Sequence, residues 1–156
     1  MTSGRSLNTD FLDAIRCLTE AGAEFVVVGA HALAVHGIPR ATGDIDILVR
    51  PNPENADRVM EALRAFGAQI DTHGVTKVDL ARPGTVYQIG LPPRRIDILT
   101  KISGVTFDEA WSSKIEIEID GLKIGFLGRE ELVRNKLAAA RPKDLADVDA
   151  LGRNSS

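Results

Sequence analysis

The chain has a single cysteine, Cys17, in 156 residues. No disulfide can therefore form within it, which excludes a small disulfide-stapled secreted scaffold and fits a reducing, cytoplasmic setting. No apolar run approaches the ~20 residues that a membrane-spanning helix needs. The opening MTSGRSLNTD lacks the apolar core of a secretory signal, so none is predicted. Neither charge sign dominates: 19 basic residues face 22 acidic ones, for a net charge of −3. That balance argues against sequence-independent nucleic-acid binding by the whole surface. Three scattered histidines without cysteine partners point away from zinc. Internal repeats, low-complexity tracts and interdomain linkers are also missing.

What is present is ordinary globular material, 44% hydrophobic and 26% charged. The length predicts one domain spanning residues 1–156, with a core that needs no staple. Thirteen of the 19 basic residues are arginine, whose planar fork suits phosphate, so a local anion site stays open.

The stretch Val26–Val49, VVVGAHALAVHGIPRATGDIDILV, organises the rest. Phe25–Val28 reads as a buried strand that stops at Gly29, and a short helix follows from Ala30 to about His36. Gly37, Pro39 and Gly43 punctuate a loop before a second strand, Asp44–Val49. Asp44 and Asp46 lie two apart on that strand, so their carboxylates share a face while Ile45, Ile47 and Val49 point into a core. Like charges side by side repel, and aspartate is depleted in strands. The pair calls for a cation, and magnesium prefers oxygen ligands of this kind. Gly29, at a strand-to-helix turn, would let an anion approach free amides at the helix start.

Around this unit, residues 1–7 read as a loose leader. Asn8 or Thr9 caps a helix running to about Ala21, with Phe11, Ile15 and Leu18 on one face and Cys17 as a packing residue. A helix from Glu54 to about Phe66, with Val59, Leu63 and Phe66 inward, ends at Gly67. Ala68–Asp71, Val75–Leu80 and Val86–Gly90 are taken as further strands, followed by Arg94–Thr100. There Ile96 and Ile98 face the core, and Asp97 shares the opposite face with Arg95. Thr106 caps a short helix, Phe107–Ser112. Lys114–Ile119 and Leu122–Leu127 form a hairpin about Asp120-Gly121, whose Glu116 and Glu118 mark a half-exposed strand. The chain closes with a helical pair: Arg129–Ala140, with Leu132, Val133 and Leu137 inward, and a helix after Arg141-Pro142 that runs to about Leu151. Alternating strands and helices give an α/β (α+β) class, a mixed sheet flanked by helices.

Gly29-Ala30, thirteen residues and then Asp44-Ile45-Asp46 resemble the signature of the DNA polymerase β-like nucleotidyltransferase superfamily. The longer wording GAHALAVHGIPRATGDIDILV, and LVRNKLAAARPKDLADVDAL near the end, are similar to stand-alone bacterial proteins near the AbiEii toxin family. The resemblance runs from about Phe25 to Leu151 and implies a nucleotidyltransferase-like fold. It implies transfer of a nucleoside monophosphate from a nucleoside triphosphate to an acceptor hydroxyl, on a protein, an RNA end or a small molecule, with two Mg2+ or Mn2+ ions. It implies that Asp44, Asp46 and Asp97 hold the metals. Gly29, Ala30 and His31 would lie at the phosphates, Arg40 and Thr42 would reach the triphosphate or acceptor, and Lys136 would approach the triphosphate from a late helix. Lys143 and Asp144 match a further Lys-Asp element. The chain departs from the pattern at Ala30, where the superfamily has glycine or serine. A role in a toxin–antitoxin pair, with an antitoxin or other protein partner, follows from the same resemblance.

Each candidate has a plainer reading. Asp97 could be a solvated aspartate paired with Arg95 or Arg94, Arg40 and Thr42 surface residues, and His31 and His36 packing histidines. A nucleotide-binding pseudoenzyme, motivated by Ala30, and a protein-interaction module with an acidic face are the alternatives to an enzyme. A Rossmann dinucleotide site is disfavoured, because GAHALAVHG lacks the required glycine spacing.

Overall fold

The computed structural model describes residues 7–40 and 42–153. Among them the chain runs α1 (Thr9–Glu20), β1 (Phe25–Val28), α2 (Gly29–Val35), β2 (Asp44–Val49), α3 (Pro53–Phe66), α4 (Lys77–Ala81), β3 (Val86–Ile89) and β4 (Arg95–Leu99). It continues with α5 (Phe107–Ser113), β5 (Ile115–Ile119), β6 (Leu122–Phe126), α6 (Arg129–Ala139) and α7 (Pro142–Arg153). The strands form one mixed sheet in the order β3-β4-β2-β1-β6-β5. At its centre β2 is antiparallel to β1 and parallel to β4, while β1 is parallel to β6. The edge strands β3 and β5 pair antiparallel with β4 and β6. The expected class, a mixed sheet with flanking helices and a C-terminal helical pair, is the one observed.

Side-chain alternation decides what each face carries. Ile45, Ile47 and Val49 of β2 and Ile96 and Ile98 of β4 join Phe11, Ile15 and Leu18 of α1 and Val59 and Leu63 of α3 in one apolar cluster. On the other face Val26, Val28 and Leu48 meet Ala32 and Leu33 of α2, Phe107 of α5, Leu132 of α6 and Leu151 of α7. All four residues of β1 are buried, as suits a central strand covered on both sides. Asp44 and Asp46 therefore project on the α2, α6 and α7 side, beside a core but outside it.

Helix ends follow local chemistry. Asn8 accepts a hydrogen bond from the Phe11 amide at 3.0 Å, and Asn52 caps α3 from the residue before Pro53. Gly67 ends α3 at φ +99°, a left-handed conformation in which a Cβ would be strained.

Three expectations change. Ala68–Asp71 is loop and turn, with the Ala68 amide donating to the Leu63 carbonyl and the Gln69 carbonyl accepting from the His73 amide. Val75–Leu80 is not a strand either. Thr76 accepts from the Asp79 amide while the Asp79 carboxylate accepts from the Thr76 amide, and this capping box starts α4. In α6, Leu137 is 52% exposed, whereas the neighbouring Lys136 is 8% exposed. Of the expected loose leader, residues 1–6 lie outside the described residues, and Leu7 packs against the main core.

The β1–β2 unit is tied at the end remote from the aspartates by Asn55, which is 1% exposed. Its Oδ1 accepts from the Glu24 amide at 2.7 Å, and its Nδ2 donates to the Glu24 and Arg50 carbonyls, each at 3.0 Å. Asn55→Ala removes the acceptor of the Glu24 amide and one of the donors to each carbonyl, and is expected to lower the free energy of unfolding by about 1–3 kcal/mol. Urea denaturation checks this, and a loss below about 0.5 kcal/mol would contradict it.

Candidate active site

The parallel register of β2 and β4 sets Asp46 directly beside Asp97 and Asp44 beside Arg95. Asp44 and Asp46 share a face of β2, so three carboxylates converge from two adjacent strands. One oxygen from each lies within 4.8 Å of the others. An all-oxygen donor set this compact matches a hard divalent cation such as magnesium or manganese, so the residues fit the group.

Electrostatics at the triad are unbalanced. The Asp46 carboxyl is pushed up to about 7 from its ordinary 3.8, first by burial and then by the charges of Asp44 and Asp97, while Arg95 pulls it down. Arg95 Nε donates to Asp97 Oδ1 at 3.0 Å and Nη2 to Oδ2 at 3.2 Å. The same Nη2 donates to Asp44 Oδ2. The Asp97–Arg95 pair is thus real, but Asp97 is 6% exposed and belongs to the triad rather than to a solvated face.

Gly29 is the floor of this arrangement. Its φ is +70°, and a Cβ there would overlap the Asp46 carboxylate. Two requirements, left-handed backbone and space for a side chain of the triad, thus coincide on one glycine.

The carboxylates share their cleft with a group of cations. Ala30, Arg40, Thr42, Asp44, Asp46, Asp97, Lys136, Arg141, Lys143 and Asp147 share a cleft of about 450 Å³. Thr42 Oγ1 donates to Asp44 Oδ1 at 2.9 Å and so supports the triad directly. Lys136 Nζ is held by Asp147 at 3.2 Å and by the fully buried Asp144 at 3.4 Å. Arg40 pairs with Asp147, and Arg141 donates through Nε to Asp144 at 2.7 Å. The Arg141 bonds hold the Asp144 carboxyl below its ordinary range despite its burial. The α6–α7 pair and the loop before β2 are thereby stitched together by charge.

His31 stands apart. Its ring meets Phe11 edge-on with centroids 5.5 Å apart, its Nδ1 is buried without a hydrogen-bond partner, and it does not line the cleft. Burial depresses its pKa against the pull of Asp44. His36 Nε2 lies 2.9 Å from the Leu127 carbonyl and anchors α2 to the end of β6. The residues that sequence reasoning missed are Asp147, Arg141 as a cleft residue and Arg95 as a partner of two carboxylates. The three-residue spacing of Asp144 and Asp147 on one helix, with Arg141 just before it, was a usable signal.

A sequence profile of the family described as "Nucleotidyl transferase AbiEii toxin, Type IV TA system" matches residues 10–156. The chain belongs to the AbiEii family. A search of curated proteins finds no significant match. Solved structures similar to this AbiEii-family chain include a protein assigned as a nucleotidyltransferase from Thermotoga maritima, 17% identical with a TM-score of 0.54, covering 97% of both chains. A lincosamide antibiotic adenylyltransferase with lincomycin bound is 11% identical with a TM-score of 0.55, covering 97% of this chain and 100% of that one. An antigenic nucleotidyltransferase-like protein from Paracoccidioides brasiliensis is 12% identical with a TM-score of 0.52, covering 91% and 74%. At such identities the likeness shows the nucleotidyltransferase-like fold.

The raised Asp46 pKa has a consequence for this AbiEii-family chain. The folded protein holds that proton more tightly than the unfolded chain does, so ionising Asp46 removes stability as pH climbs from about 4 through about 7. Asp46→Asn cannot ionise. In chelator at about pH 8 it is expected to raise the Tm by at least about 2 °C, with little change at about pH 5. A lower Tm for the variant at the higher pH would contradict the electrostatic account.

Proposed function

We propose that this protein is a metal-dependent nucleotidyltransferase that moves a nucleoside monophosphate from a nucleoside triphosphate to an acceptor hydroxyl. The observation that carries the reading is the cleft itself, lined both by three converging carboxylates and by Arg40, Lys136, Arg141 and Lys143. A triphosphate bridged to carboxylates by cations needs both sets of groups at once.

Two Mg2+ or Mn2+ ions, held by Asp44, Asp46 and Asp97, would neutralise charge on the transferring phosphoryl oxygens and lower the pKa of the acceptor hydroxyl. Asp44 and Asp46 present their oxygens from β2, and Asp97 closes the set from β4. Thr42 orients Asp44 through its hydroxyl. Gly29 leaves room for Asp46, and Ala30 lines the cleft with a small apolar surface. Lys136 and Arg40, held by Asp147, offer fixed positive charge to the triphosphate. Their role would be positioning and charge stabilisation rather than proton transfer.

The family description extends to a toxin of a type IV toxin–antitoxin system. That role, with an antitoxin as counterpart and a protein, an RNA end or a small molecule as acceptor, is part of the proposal. One observation favours a second reading, a nucleotide-binding pseudoenzyme: Ala30 lines the cleft where the superfamily pattern has glycine or serine.

Label transfer from α-labelled ATP, CTP, GTP and UTP in Mg2+ or Mn2+, with total cell RNA and cell lysate as acceptors, tests the reading. The wild type is expected to label RNA, protein or a small molecule, and Asp44→Asn/Asp46→Asn to fall to the enzyme-free background. Triphosphate bound by the wild type without any transfer would favour the pseudoenzyme.

A further inference from the structure

The cation already present at the triad is Arg95. It stands opposite Asp44 in the β2–β4 register and two residues before Asp97 on the same face of β4. The register thus sets its backbone beside Asp44, and its side chain reaches both carboxylates. Arg95 donates to both oxygens of Asp97 and to Oδ2 of Asp44, while Thr42 donates to Oδ1 of Asp44. Every carboxylate oxygen of Asp44 and Asp97 thus carries a hydrogen bond. A guanidinium does not deprotonate in proteins, so its charge is permanent. Three other cations of the cleft, Lys136, Arg40 and Arg141, are instead held by Asp144 and Asp147.

We propose that Arg95 is a built-in counter-ion of the carboxylate triad, which a divalent cation must displace from Asp44 and Asp97, so that Arg95 sets the metal affinity of the nucleotide-free protein. This rests on the metal-site reading of the triad. A divalent ion held by Asp44, Asp46 and Asp97 would share its ligands with the guanidinium. The two charges repel and compete for the same lone pairs. Arg95 and metal are therefore alternatives at Asp44 and Asp97. Without metal, Arg95 keeps three mutually repelling carboxylates converged. With metal, its hydrogen bonds are the ones given up. A nucleoside triphosphate bringing its own cation would offer the freed guanidinium phosphate oxygens in exchange.

Isothermal titration of Mn2+ into wild type, Arg95→Gln and Arg95→Lys, without nucleotide and with thermal unfolding in chelator alongside, tests this. Arg95→Gln is expected to bind Mn2+ at least about tenfold more tightly than wild type, with Arg95→Lys between them. In chelator its Tm is expected below that of wild type, with a larger recovery on adding Mn2+ than wild type shows. A purely structural role would lower the Tm but would not tighten Mn2+ binding. Equal or weaker Mn2+ binding by Arg95→Gln overturns the proposal and makes Arg95 a positioning residue for the carboxylates. If Arg95→Gln fails to fold, Arg95→Lys decides, since a single-point ammonium holds the two carboxylates less well than the fork and must bind Mn2+ more tightly than wild type. Should no variant bind Mn2+, alone or with ATP, the metal-site reading fails as well. If wild type and Arg95→Gln bind it equally, only the role of Arg95 is lost.

Discussion

Repulsion among three carboxylates is the constraint on which this structure turns. Asp44, Asp46 and Asp97 are brought together by strand register, and each would be less costly apart. The fold supports them with opposite-face burial. Ile45, Ile47, Ile96 and Ile98 are essentially inaccessible beneath α1 and α3, so neither strand can slip by one residue without exposing its isoleucines and burying its aspartates. Hydrophobic burial on one face thereby supplies the stability that convergence on the other face consumes. Arg95 and Thr42 reduce the remaining imbalance, and the raised pKa of Asp46 shows that they do not remove it.

A second charge system shares the cleft with the first. Asp144 and Asp147 on α7 gather Lys136, Arg40 and Arg141, so that cations from α6, the α6–α7 junction and the loop before β2 converge on one cleft. Burying Asp144 completely carries a desolvation penalty that only such pairing offsets. The C-terminal helical pair is therefore part of the cleft and not only a cover for the sheet. Both signs of charge thus line one small cleft.

Much of this was legible in the sequence because its cause is local. The run Phe25–Val28, the glycine after it and the alternation of Asp44–Val49 and Arg95–Leu99 are period-two patterns with one dominant reading, and they carry the triad with them. The misread segments had competing local causes. Val75–Leu80 holds β-branched residues, yet the Thr76–Asp79 capping box prevails and starts a helix. Leu137 was expected inward by helical period, but the face of α6 is set by the pairing of Lys136 with two carboxylates of α7, which no single-helix pattern contains. Asp147 and Arg40 meet across 107 positions of chain, and Arg95 touches Asp44 across 51. Contacts of that kind depend on strand order, which residue spacing alone does not specify.

The central claim is that the triad and the cations of the cleft form one site for a triphosphate and its metal. Thermal unfolding of wild type and Asp97→Asn, with Mn2+ alone, ATP alone and both together, tests it most directly. The account expects the pair of ligands to raise the wild-type Tm by more than the two separate shifts combined, because each ligand completes the site for the other. Asp97→Asn should lose that extra rise while keeping its fold. Additive shifts in the wild type, or an undiminished extra rise in Asp97→Asn, would contradict it.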